Sequence, residues 1–141
     1  MDYVIEPYKA VNEISFGMTQ EQVEKIAGPA DKSEPDRILG YVKETRGDCR
    51  LKYYEDGDLK VVEIPKSGNP IVKGIAVFKA GGFEKLCDLE KPIVGRTNTY
   101  MLFRKLGLCL GGYAKKRVPD GKVLIAFSED ALALYEDFID V

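Results

Sequence analysis

Residues 49–64 restrict the fold more tightly than any other stretch. Cys49-Arg50-Leu51-Lys52-Tyr53-Tyr54-Glu55 and Asp58-Leu59-Lys60-Val61-Val62-Glu63-Ile64 flank the dipeptide Asp56-Gly57. Asp-Gly suits a two-residue type I′ turn, whose twist matches that of the strands it joins. Such a turn pairs Glu55 with Asp58 and thereby sets the register. Cys49 then faces Ile64 and Leu51 faces Val62 on one side. Arg50 faces Glu63 and Tyr54 faces Leu59 on the other. Opposite charges and apolar partners fall together, as cross-strand pairs favour. The chain must therefore contain an antiparallel sheet.

A second local signal lies at Phe16-Gly17-Met18-Thr19-Gln20-Glu21-Gln22-Val23-Glu24-Lys25-Ile26-Ala27-Gly28-Pro29. Thr19 and Gln22 have capping-box spacing, and Met18 and Val23 have staple spacing. Val23, Ile26 and Ala27 form an apolar stripe at helical period. Gly28 suits the left-handed residue after a helix, and Pro29 forbids continuation. A helix over 20–27 follows, with both ends specified.

The remainder reads as alternating strands, turns and short helices. Residues 30–37 read as a loop, because they are polar and contain Pro35. Strands are expected over 38–44, 71–78, 108–113 and 122–127. Helices are expected over 83–89, with Phe83, Leu86 and Cys87 inward, and from Asn98 or Thr97 to Leu106, ended by Gly107. Asp120-Gly121 reads as a turn. Ser128 is placed to cap a last helix whose first turn holds Glu129 and Asp130, where acids complement the helix dipole. Its inward positions are Ala131, Leu134, Tyr135 and Phe138. The fold class is α+β, with short helices packed on an antiparallel sheet. Thr19…Gly28 and Thr97…Gly107, each followed by Asp-Gly before a β-rich run, admit two degenerate helix-plus-sheet repeats. The length of 141 residues fits a single domain, and no linker or low-complexity segment divides it.

The segment Phe16-Gly17-Met18-Thr19-x-x-Gln22-Val23-x-x-x-x-Gly28-Pro29 resembles the opening of the SmpA/OmlA family of small outer-membrane assembly lipoproteins. It is also similar to the β-lactamase-inhibitor-protein-like fold. The resemblance spans about fifteen residues and the strand order after them. It departs from the family in having Gly28 and Pro29 adjacent, and in lacking a lipobox cysteine and a signal. Similar helices open some bacterial immunity proteins that neutralise toxins delivered between cells. The resemblance implies a helix followed by antiparallel strands, and a binding role.

Composition removes most catalytic classes. With no histidine, Ser-His-Asp and Cys-His catalysis, His-containing metal sites and His-based acid–base chemistry are excluded. Cys49, Cys87 and Cys109 are odd in number, widely spaced and flanked by apolar residues. They read as buried thiols, with neither zinc-ligand spacing nor an activating base. Glu55, Asp56 and Asp58 lack the calcium-loop pattern. Gly81-Gly82 and Gly111-Gly112 match no phosphate-binding motif. The expectation is a non-enzyme with no catalytic residue, metal or cofactor. No residue run is long and apolar enough for a membrane helix, and residues 1–7 have no basic segment of a secretory signal, so the chain reads as cytoplasmic. The overall acidity argues against direct nucleic-acid binding, despite Lys115-Lys116-Arg117.

Charge is uneven along the chain. Residues 79–122 hold ten bases and four acids, whereas residues 123–141 hold five acids and no base. An acidic last helix suits steering onto a basic partner. The expected function is an immunity-type protein that binds and neutralises a toxin domain, basic and nuclease-like. The expected partner-binding residues are Tyr54, Glu129, Asp130, Glu136 and Asp137. Tyr54 is preferred to Tyr53 because the hairpin register puts it opposite the Leu51 face. The alternative is a small-ligand-binding or scaffold domain of the same fold. A deep apolar pocket would favour that alternative, and a flat charged face the immunity reading.

Overall fold

A computed structural model describes residues 1–116, 118 and 121–139. Arg117, Asp120 and Asp140, and with them part of the expected basic run, turn and acidic tail, lie outside the described residues. In chain order the first strands are β1 (Asp2–Glu6), β2 (Ala10–Val11) and β3 (Ile14–Ser15), followed by α1 (Gln20–Ala27). Next come β4 (Lys32–Asp36), β5 (Tyr41–Arg46), β6 (Cys49–Tyr53) and β7 (Leu59–Pro65). The second half opens with β8 (Asn69–Val72), β9 (Ile75–Ala76) and α2 (Gly82–Leu89). It continues with β10 (Ile93–Val94), β11 (Tyr100–Phe103), β12 (Leu108–Gly111) and β13 (Val123–Phe127). A 3₁₀ turn (Glu129–Ala131) then leads into α3 (Leu132–Phe138).

The large sheet has eight strands in the order β10-β11-β12-β13-β7-β6-β5-β4, all antiparallel. Each of α1 and α2 is followed by a four-stranded meander, and the two meanders join through their last strands, with Val62 opposite Ala126. The small sheet, β3-β2-β1-β8-β9, contains the one parallel pair described, β1 with β8. This is an α+β architecture, as its composition of turns and alternating strands implies.

Two apolar layers hold it together. On one face of the large sheet, Leu51, Tyr53, Val62, Leu108 and Leu124 meet Tyr3 and Ile5 of β1, Val23 of α1 and Leu86 of α2. On the other face, Val61, Leu102, Cys109, Ile125 and Phe127 meet Ala131, Tyr135 and Ile139 from the C-terminal helical segment. Alternation along β7 feeds both layers, Val61 to one and Val62 to the other, which is the period-two consequence of a strand covered on both faces.

The N-terminal cap of α1 forms as the spacing implies. Gln22 N donates to Thr19 Oγ1 at 3.2 Å and Thr19 N donates to Gln22 Oε1 at 3.0 Å. Gly28 ends the helix at φ 77° and ψ −176°, an extended conformation open to glycine rather than the expected left-handed one. The stripe below it behaves differently: only Val23 is buried, while Ile26 and Ala27 remain exposed. In α2, Leu86 is buried with Phe83 and Cys87 packed beside it.

The 49–64 hairpin keeps Arg50 opposite Glu63 and Leu51 opposite Val62, but its turn is not the expected one. Asp56 does not take the positive φ that a type I′ turn demands. Its carboxylate instead accepts from Asp58 N at 3.0 Å, and Tyr54 N donates to Asp58 O, giving a longer loop. Tyr53, not Tyr54, therefore faces Leu59, and the extra residue on β7 makes a bulge at Lys60.

Five further expectations are corrected. Residues 32–36 form β4 rather than a loop; Pro35 is tolerated because an edge strand has one row of unpaired amides. The expected 38–44 strand starts at Tyr41, and 37–40 turn back towards β4. The 71–78 strand is a hairpin, because Lys73 and Gly74 both take positive φ (51° and 79°) between paired Val72 and Ile75. The 97–106 helix is strand β11: Leu102 faces one core layer and Phe103 the other, which a two-sided strand accommodates and a helix does not. Asn98 takes φ 58° in a turn, and Gly107 (φ 66°) follows β11 rather than a helix. At the last helix Ser128 makes no side-chain cap; its hydroxyl donates to Asp130, and Leu134 and Phe138 are exposed where burial was expected.

Candidate partner-binding end of the sheet

The meander brings distant residues to one end of the large sheet. The β4–β5 turn (37–40), the β6–β7 loop (54–58), the β11–β12 turn (104–107) and the start of the last helix all lie there. Contacts tie them together. Gly40 lies against the Glu55 side chain, Lys60 pairs with both Asp56 and Asp130, and Phe127 N donates to Gly107 O at 3.1 Å.

The β4–β5 tip is built to project. Asp36 Oδ1 accepts from Ile38 N at 3.0 Å and from Leu39 N at 2.9 Å, and Gly40 N donates to Asp36 O at 2.9 Å. These bonds hold the Asp36 carboxyl below the usual carboxylate range, the Leu39 amide contributing most. On that fixed backbone Ile38 is 94% exposed and Leu39 67% exposed. Sequence reading placed both inside a strand and missed the tip. The Asp36 spacing to the two amides is the signal that could have found it.

Beside the tip lies an aromatic ledge. Tyr41 and Tyr54 stack with ring centroids 5.9 Å apart, and Lys52 Nζ sits 5.1 Å from the Tyr41 ring centre. Tyr54 is half-buried and packs with the Tyr135 layer rather than standing free, although it is more exposed than Tyr53. Burial pushes its phenol pKa up.

The acids of the last helix form a margin at this end. Asp130 accepts from Lys60, which pulls its carboxyl below the ordinary range, with Ser128 adding to the effect. Glu136 pairs with Arg104 at 2.6 Å. Glu129 and Asp137 are exposed and make no ion pair among the described residues. Burial raises the Tyr8 phenol, with the fields of Glu90, Glu129 and Glu136 adding to it. Of the expected partner-binding residues, Tyr54, Glu129, Asp130 and Glu136 thus gather around one end, and Asp137 follows Glu136 along α3.

The chemistry available elsewhere is limited. Cys49 and Cys109 are buried, Cys87 is half-buried, and all three are free. Burial pushes every thiol up, Cys109 to about 12, so none is held as a thiolate near neutral pH. Among the described residues, no cluster of three or more carboxylates and cysteines could hold a metal ion, and no helix is long and apolar enough to cross a membrane. No protein-family model, curated protein or solved structure matches the chain.

Proposed function

We propose that this protein binds and neutralises a protein toxin without chemistry of its own. The observation that carries the reading is the tip at Ile38 and Leu39. Two adjacent large apolar side chains held in solvent on a hydrogen-bonded backbone gain by burial against a partner, and preorganisation lowers the cost of binding. The Tyr41–Tyr54 ledge supplies aromatic area of the kind that anchors interfaces. The acidic margin suits a basic partner, such as a nuclease-like toxin domain, and would raise its association rate. A cytoplasmic location is part of the same proposal. So is descent from a duplicated unit, which the two helix-plus-meander halves and their junction at Val62–Ala126 support.

A toxin-bearing gene immediately upstream is expected, and the test is capture of the toxin domain it encodes. A complex at about micromolar concentration or below is expected, and none at that concentration would sink the reading. Within a complex, Ile38→Asp with Leu39→Asp should abolish binding while leaving the fold intact. A second reading, a ligand-binding domain, is favoured by one observation: a groove at the opposite end of the sheet.

A further inference from the structure

The groove lies where the small sheet, the end of α1 and the β5–β6 turn approach one another. Its volume is about 1050 Å³, and it is partly open to solvent. Val4 and Ile26 stand in its walls at 53% and 44% exposure, with Ile14 and Pro29 beside them. This is the destination of the α1 stripe: Ile26 and Ala27 line the groove instead of the core.

Carboxylates outnumber basic side chains in its lining. Glu13, Asp31 and Asp48 all line it. Asp31 Oδ2 accepts from Gly47 N at 2.6 Å, and Asp48 accepts from the Tyr3 hydroxyl. Arg46 is the one basic side chain in the lining, and its charge is already matched by Glu44, with Nε donating to Oε1 at 3.0 Å. The groove is therefore acidic in balance, and its carboxylates sit beside the C-terminal end of α1, where the helix dipole also favours cations.

Arg46 adds an independent observation. Its side chain is only 10% exposed; Nη1 donates to Gly28 O at 2.7 Å, while buried Nη2 meets no acceptor. A buried donor left unpaired is costly and calls for an acceptor. A peptide carbonyl is such an acceptor, and it brings no negative charge into an acidic groove.

We propose that this groove binds an extended peptide segment in which a lysine or arginine lies between apolar residues. Apolar side chains would occupy the Val4–Ile26 walls, the cation would meet Asp31 and Asp48, and a backbone carbonyl would accept from Arg46. The openness of the groove favours a continuous segment over a small molecule, which needs most of its surface enclosed. The site stands apart from the toxin-binding end, so its failure would leave that reading untouched.

The test is selection of a random dodecapeptide phage library on the purified full chain. Enriched peptides should share a basic residue flanked by apolar ones. A synthetic peptide of that sequence should shift the amide resonances of Asp31, Gly47 and Asp48. The combined variant Glu13→Gln, Asp31→Asn, Asp48→Asn keeps one acceptor oxygen at each position and removes three charges; affinity should fall by about tenfold or more. Ile26→Ser, at an exposed position that cannot unfold the core, should weaken binding as well. No shared motif, an acidic motif, shifts confined to the other end of the sheet, or undiminished affinity in both variants would overturn the proposal.

Discussion

At the scale of single residues, the side chain under the tightest control is Glu44. It is buried in β5 and accepts from Arg46 Nε at 3.0 Å, from Tyr53 OH at 2.8 Å and from Gln20 Nε2 at 3.2 Å. Three donors from α1, β5 and β6 thus replace the water that the carboxylate lost. Removing it leaves Arg46 as an uncompensated buried charge, so Glu44→Ala should cost about 3–5 kcal/mol in urea unfolding. Tyr53→Phe leaves the carboxylate two donors and should cost less, about 1–3 kcal/mol. Burial, reinforced by Glu44, raises the Tyr53 phenol, so no tyrosinate forms there near neutral pH. Equal costs for the two substitutions would contradict this ordering. Nothing in the sequence announced the network, because a Glu between Lys43 and Thr45 on a mostly polar strand looks like an ordinary outward acid.

At the scale of elements, the cap and the bulge give separate predictions. Thr19→Ala removes the acceptor for Gln22 N and should cost about 1 kcal/mol, read from the unfolding midpoint. The Lys60 bulge sends its ammonium to Asp130, an exposed pair worth at most about 1 kcal/mol. Since the folded Asp130 carboxyl lies below its unfolded value, its contribution is present above the unfolded pKa and is lost as pH falls through the folded one. The stability gap between the parent and Asp130→Asn should therefore narrow on acidification below about pH 4. A gap independent of pH would refute the linkage. What was legible in the sequence at this scale was local. The α1 cap and the α2 face depend on residues within a few positions of one another, and the Arg50–Glu63 register on a single hairpin. What was not legible depends on both faces of a strand being covered. Tyr100-Met101-Leu102-Phe103 carries apolar residues at every position, which a helix and a doubly buried strand share. Asp56 likewise chose between a positive φ and a side-chain bond to Asp58 N, and the second made Tyr53 rather than Tyr54 face Leu59.

At the scale of the molecule, two meanders joined at β7 and β13 make a sheet with distinct ends. The apolar tip, the tyrosine ledge and the acidic margin share one end, and the acidic groove occupies the other. Sequence reading reached four acids through charge asymmetry and Tyr54 through the hairpin register, but not the tip, because its exposure depends on where β5 begins. If the margin steers a basic partner, Glu129→Lys with Asp137→Lys should slow association several-fold at low salt and little at high salt, measured by stopped flow. These two acids make no ion pair among the described residues, so the substitutions leave the Lys60 and Arg104 pairs intact. Rates unchanged at low salt would remove the margin from the interface while leaving the tip in place. The most direct measurement is titration of the upstream toxin domain's activity with the purified protein. The account predicts complete inhibition at one equivalent, lost when Ile38 and Leu39 are both changed to Asp. Full toxin activity in the presence of a large excess of the unaltered protein would contradict it.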